Sequence, residues 1–263
     1  DTKMVDNDFN MNLEALASAD VDLVFNWEEK LDQAEQLEAL GIPCVILPYA
    51  TNLATLQDLM AVLGDALNCQ ERTEFAIQWY KDTQDYFDSK ADAVAALKDE
   101  EKPRVLHFQR VEKMQVYGKG MNPNVTKMEG GVSYLLPAEV SAPTMEDIIA
   151  FDPEIIVLSN FDNITPEDLY ENRIPGQEWS GVSAVINHRV YKVPSGLYRW
   201  APPNTFEKPF YMRWTASIVQ PEIFSDIDIR AELKQFYHDY YSYDLSEEQL
   251  DEIFHVEVNQ YSK

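Results

Sequence analysis

The stretch NLEALASADVDLVF, residues 12–25, returns in pattern as TMEDIIAFDPEIIVL, residues 144–158, so that Glu14 matches Glu146 and Asp20 matches Asp152, 132 positions on (146 − 14). A chain that contains one unit twice has few folds open to it. Each copy reads as a capping residue, a short amphipathic helix, an acidic turn and an apolar run of buried-strand length, which is half of a βαβ unit. The offset is too long for a solenoid, so the pattern predicts two similar α/β lobes with mainly parallel sheets and a cleft between them.

Residues 65–102 contain neither Gly nor Pro, and from Glu71 onward they are strong helix formers with Phe75, Trp79, Thr83, Tyr86, Phe87, Val94 and Leu97 at roughly helical spacing. One long helix is expected there. A helix of about 30 residues is a strut of roughly 45 Å, not a hinge, so the lobes should move little. The implied organisation is an N-terminal lobe over residues 1–68, a connecting helix over 69–102 and a C-terminal lobe over 103–263.

Further strands are predicted at 21–27, 43–48, 104–108, 155–159 and 190–193, and a helix at 51–68. Thr165, Pro166 and Asp168 start a helix with Pro at its first position, and Ser246 with Gln249 makes a capping box for a last helix at 247–254. The glycine-rich segment 117–132 has no periodicity and reads as a loop bordering the cleft.

Forty-five per cent hydrophobic residues in 263 are enough for two modest cores. The formal charge of −25 repels phosphate backbones and anionic headgroups, which disfavours nucleic acid and membrane surfaces and favours a basic protein partner. Acidity that only keeps the protein soluble fits as well. Cys44 and Cys69 cannot make a Cys-x-x-Cys zinc site; each stands near the same end of a predicted strand and helix, so a disulfide is geometrically possible and buried free thiols are the alternative. His107, His188, His238 and His255 lack metal-ligand spacing, so no metal site is expected. There is no G-x-S-x-G elbow, no phosphate-binding loop and no dinucleotide fingerprint, so no catalytic residue is nominated and the chain reads as a binder, not an enzyme.

The order of the segments NLEALASADVDLVF, LEALGIPCVILPY, the helical connection, PRVLHF, KMEGGVSYL, MEDIIAFDPEIIVLSN and WSGVSAVINHRVYKVPSG resembles the substrate-binding proteins that serve ABC importers of ferric siderophores, haem and cobalamin. That resemblance implies two Rossmann-like lobes bridged by one long α-helix, with a transported iron chelate, haem or corrinoid in the cleft and no intrinsic cofactor. It also implies a monomer on the outer side of the cell membrane, periplasmic or lipid-anchored, whose export segment lies outside the sequence as given. Relatives carry a strand, helix and strand before the first such helix, so the first lobe would lack its opening strands. Glu14 and Glu146 match the acidic positions that dock onto arginines of a permease dimer; a carboxylate answering the helix dipole is the plainer reading of both. A surface adhesion module, an unrecognised α/β enzyme, or a binder of an oxyanion or bare metal ion on the same fold are the alternatives.

In parallel α/β sheets ligands sit beyond the carboxyl ends of strands. This nominates Trp27 and Tyr49 in the first lobe, and Arg110, Tyr117, Lys119, Asn160, Phe161, Tyr198, Arg199 and Trp200 in the second. Aromatic faces with Arg between them suit a planar or catecholate-like anionic chelate. Ordinary packing at a lobe edge would use the same aromatic residues.

Overall fold

In the computed structural model, which describes residues 12–136, 138 and 140–263, the repeat is realised in three dimensions. Helix α1 (Leu13–Ser18) leads into strand β1 (Val24–Trp27), and their later counterparts, introduced below in chain order, keep the same order and spacing. Asn12 caps α1 by accepting from the Ala15 amide at 3.0 Å. Asp20 after the first helix (φ 53°) and Asp152 after the second (φ 46°) both adopt the left-handed conformation, which Asp tolerates better than most side chains.

The chain divides into two units, Asp1–Gln78 and Trp79–Lys263. In the first, α2 (Leu31–Ala39) follows β1 and returns the chain to β2 (Cys44–Leu47), which pairs parallel with β1 from Val24 opposite Cys44 to Trp27 opposite Leu47. Its core is Leu16, Val24, Leu37 and Ile42, with Leu13, Val21 and Cys44 packed against them. Helix α3 (Leu53–Leu67) begins at a capping box between Asn52 and Thr55. The Cys44 and Cys69 thiols are both free.

The connecting helix is shorter than expected. Asn68 turns left-handed at φ 50° and closes α3, and α4 runs over Gln70–Ala95, followed by a separate 3₁₀ turn at Asp99–Glu101. Asn68 stands at the end of the helix expected over 51–68, and the shortfall lies at the other end of the connection, where α4 stops at Ala95. From Trp79 onward α4 belongs to the second unit, where the Trp79 ring lies 4.3 Å from Phe236 and 5.1 Å from Phe210.

The second unit is built on β3 (Arg104–Arg110), β4 (Gln115–Tyr117), β5 (Val132–Ser133), β6 (Val140–Ser141), β7 (Ile155–Leu158) and β8 (Val190–Lys192). Their order is β6–β4–β3–β7–β8, with β5 against the start of β3. β5, β3, β7 and β8 run parallel, and the β4–β6 edge is antiparallel. Segment 117–132, expected to be loop, contains α5 (Met121–Met128). Its glycines lie outside the helix, Gly120 (φ 81°) before it and Gly130 (φ 82°) after it, and Pro123 falls in the first turn, where its missing N–H has no intrahelical acceptor.

Helices α6 (Met145–Phe151), α7 (Pro166–Tyr170), α8 (Ser183–Ile186), α9 (Lys208–Val219), α10 (Ile229–Tyr241) and α11 (Glu247–Ile253) complete the unit. Leu106, Phe108, Ile148, Ile156, Leu158, Trp179 and Val190 sit at its centre. Asp152 ties the repeat into this core, accepting from the Ser183 amide at 2.9 Å and its hydroxyl at 2.8 Å. Thr144 caps α6 reciprocally with Asp147, at 3.2 and 2.9 Å. Thr144→Ala should therefore cost about 1 kcal/mol and lower the unfolding midpoint by about 2–4 °C, as calorimetry would read it.

Candidate functional site

The nominated residues of the first unit meet as a pair. Trp27 ends β1 and Tyr49 lies two residues past β2, and because the strands are parallel their ends emerge together. The two rings stack with centroids 5.1 Å apart and planes 24° apart, both half-buried.

In the second unit five nominated residues converge beyond the ends of β3, β7 and β8. Phe161, three residues after β7, is the hub. The Arg199 guanidinium carbon lies 4.8 Å from its ring centroid and that of Arg110 lies 5.4 Å away. Arg110 donates to the Phe161 carbonyl at 3.1 Å, and the Arg199 Nε donates to the Asn160 carbonyl at 2.7 Å. Each arginine is thus fixed by backbone. The terminal nitrogens of Arg199 have no partner among the described residues. Arg199 also lies 5.6 Å from the ring of Tyr198, which is 52% exposed.

Asn160, Tyr198 and Arg199 line a cavity of about 470 Å³ together with Asp162, Asn163, Thr165, Lys192, Ser195, Leu197, His255 and Val258. The Asn160 side chain donates to the Val193 carbonyl at 2.9 Å, and its Oδ1, like the His255 Nε2, is buried without a hydrogen-bond partner. Burial lowers the His255 imidazole, and the Lys192 cation lowers it further, which favours the neutral ring. Burial also brings Lys192 down to about 8, against the opposing pull of Asp162 and Asp168. Lys192 donates to the carbonyls of Asp162 and Ile164 at 3.0 and 2.8 Å and so holds the turn after β7 in place.

Three nominated residues stand apart from this cluster. Trp200 is fully buried: its ring stacks on Phe210 at 5.6 Å and its Nε1 donates to Glu207 at 3.0 Å, so it presents no face to a ligand and supports the loop from beneath. Tyr117 closes β4 inside the core at 3% exposure. Lys119 is exposed in the turn before α5. Among the described residues no group of three or more His, Cys, Asp and Glu is placed to hold a metal ion.

Glu14 and Glu146 occupy the same place in their units. Each is the second residue of its helix, exposed, and without an ion pair among the described residues. The cap of the second helix is made by Asp147 with Thr144, so no capping hydrogen bond there uses Glu146.

Both α/β units thus place aromatic or arginine side chains beyond the ends of parallel strands, where α/β proteins hold their ligands. The family model described as periplasmic binding protein matches residues 1–197, and the chain belongs to that family. It is similar to a periplasmic solute binding protein from Veillonella parvula, at 37% identity and a TM-score of 0.85 over 99% of this chain and 78% of that one. An uncharacterized ABC transporter substrate-binding lipoprotein of Bacillus subtilis, YvrC, is 24% identical over 206 residues, 76% of this chain. The chain spans 63% of the length of that relative. The fold is shared with the molybdate periplasmic binding protein MolA of Haemophilus influenzae, at 15% identity and a TM-score of 0.76 over 94% of this chain and 80% of that one.

Proposed function

We propose that this chain is the extracytoplasmic substrate-binding component of an ABC importer and that it captures an anionic metal chelate, an iron siderophore or haem, or a related cofactor such as a corrinoid. The observation that carries the reading is the pair of arginines set on one ring, Arg110 and Arg199 on Phe161, beside the exposed ring of Tyr198. Guanidinium groups supply charge-assisted bonds to catecholate, hydroxamate or carboxylate oxygens, and the rings supply apolar contact to a planar organic body. The stacked Trp27 and Tyr49 offer a further aromatic surface of the same kind.

The runner-up is an oxyanion of the size of molybdate. Such an ion needs a small, closed set of N–H and O–H donors, whereas the cavity beside Arg199 has about 470 Å³, within the range that organic ligands fill. The chelate is therefore favoured. No chemistry is assigned to the site: the protein holds its cargo and hands it on, as a monomer, periplasmic or lipid-anchored, to a permease dimer that reads Glu14 and Glu146.

Native mass spectrometry of the protein isolated from its source should show a co-purified species with the mass and isotope pattern of a metal-organic chelate. A ferric catecholate should raise the unfolding midpoint of the ligand-free protein, since anything that binds only the folded state stabilises it by mass action. Stabilisation by molybdate and none by organic chelates would transfer the assignment to the oxyanion reading.

A further inference from the structure

The loop that presents Tyr198 and Arg199 follows β8 and is folded around two buried, consecutive, oppositely charged side chains. Glu207 is 1% exposed and Lys208 is fully buried at the first position of α9. The carboxylate of Glu207 accepts from the Trp200 Nε1 at 3.0 Å and from the Tyr237 hydroxyl at 2.7 Å. The Leu197 amide donates to the Tyr237 oxygen at 3.1 Å, and the nearby amides of Tyr198 and Leu197 favour the charged carboxylate against its burial. The backbone is pressed onto this carboxylate. A Cβ added at Gly196 would lie 2.5 and 2.7 Å from its two oxygens and 2.8 Å from the Tyr237 oxygen.

Lys208 takes the other half of the same loop. Its Nζ donates to the carbonyl of Ala201 at 3.0 Å, with those of Pro202 and Trp200 at 3.4 and 3.5 Å. Its shortest bond goes to the Asn122 Oδ1 at 2.6 Å, and the Asn122 amide donates back to Ala201 at 3.1 Å. The anion thus holds the loop through the Trp200 indole and, by way of the Tyr237 hydroxyl, the Leu197 amide, and the cation gathers the carbonyls that follow Arg199. Between them Ser195 and Arg199 form a single antiparallel bridge, a closed turn with Tyr198 at its exposed tip.

We propose that Glu207 and Lys208 are the positioning residues of the ligand site: they set the backbone that aims Tyr198 and Arg199 without touching the cargo themselves. This inference rests on the assignment of Arg199 and Tyr198 to chelate binding. Glu207 is the sharper test of the two. In Glu207→Gln one acceptor oxygen becomes an amide donor facing donors, a change of about the same volume that sets N–H against N–H. Tyr237→Phe is the milder companion, removing one donor to the carboxylate and the acceptor for Leu197.

Two readouts on the full chain separate positioning from general weakening. The first is amide hydrogen exchange over residues 195–202 in the ligand-free protein. The second is affinity for a ferric tris-catecholate complex, titrated by fluorescence quenching. Glu207→Gln and Tyr237→Phe should each speed exchange in this segment about tenfold relative to the rest of the unit and weaken chelate binding by about tenfold, the scale on which a misplaced contact acts. Ile148→Ala, a core truncation remote from the loop in sequence, should lower the unfolding midpoint and leave exchange in 195–202 and chelate affinity as in the parent. Unchanged exchange in both loop variants overturns the proposal, and so does an affinity loss that Ile148→Ala reproduces. If the parent itself fails to bind the ferric complex while the exchange response appears, the positioning stands and the cargo assignment falls.

Discussion

Transport, or transfer into vesicles holding the cognate permease, should be abolished when Glu14 and Glu146 are both replaced by Lys, with fold and ligand affinity retained. Both carboxylates are exposed at the second position of matching helices, and neither is engaged by a cation of its own chain among the described residues. A helix that needed these charges for its own stability would lose a few tenths of a kcal/mol to about 1 kcal/mol per site, too little to unfold the protein. A basic permease surface would instead meet like charge at both contacts, which costs several kcal/mol and slows encounter. Paired single variants should each leave partial transport, since one contact survives in each. Normal transfer by the Glu14→Lys, Glu146→Lys protein would reduce both residues to helix-start electrostatics.

Arg199→Ala should weaken binding of an anionic chelate by about 1.5 to 3 kcal/mol, roughly ten- to 150-fold, the usual worth of a charge-assisted bond in a shielded site. The reason for choosing Arg199 over Arg110 is geometric. Arg110 already spends a terminal nitrogen on the Phe161 carbonyl, whereas Arg199 is anchored through Nε and keeps both terminal nitrogens for a ligand. Arg110→Ala should accordingly cost less, and Lys119→Ala, in its exposed turn, should change nothing. Calorimetry on the four proteins gives the ranking, and equal affinities for the parent and Arg199→Ala would remove this loop from the site.

The repeat was legible because it is written in local chemistry: a capping residue, an acidic turn and an apolar run need no knowledge of distant contacts. The same locality explains the errors. The connecting helix stops at Ala95, and neither Gly nor Pro stands there to advertise it. Gly120 and Gly130 bracket α5, yet a count of glycines reads the whole segment as loop. Trp200 adjoins Arg199 in sequence and was grouped with it. The turn closed by the Ser195 and Arg199 bridge sends Tyr198 to solvent and Trp200 to the Glu207 carboxylate, a partner that declares itself only in three dimensions. His255 and Val258 join the cavity from beyond the last helix, and Lys192 reads as strand until its Nζ is seen to hold the turn at Ile164. Glu207 and Lys208 were invisible for a related reason: an adjacent Glu and Lys usually face water, and here both are core.

If the two guanidiniums on Phe161 receive an anionic chelate, as proposed, the charge of the chain has a consequence for the timing of capture. They are a small patch of positive charge on a chain whose formal charge is −25. At a distance an anionic cargo feels the acidic body and is turned away; within a Debye length of the patch, about 10 Å at 0.1 M salt, attraction takes over. Dilute surroundings therefore slow arrival and saline ones hasten it, the reverse of a protein that steers its anion from afar. Small anions that lack a ring or an apolar flank would then reach the arginines only to leave again, because nothing but charge would detain them. On that reading the acidity of the chain would delay every anion alike, and residence on the aromatic rings would decide which one is kept.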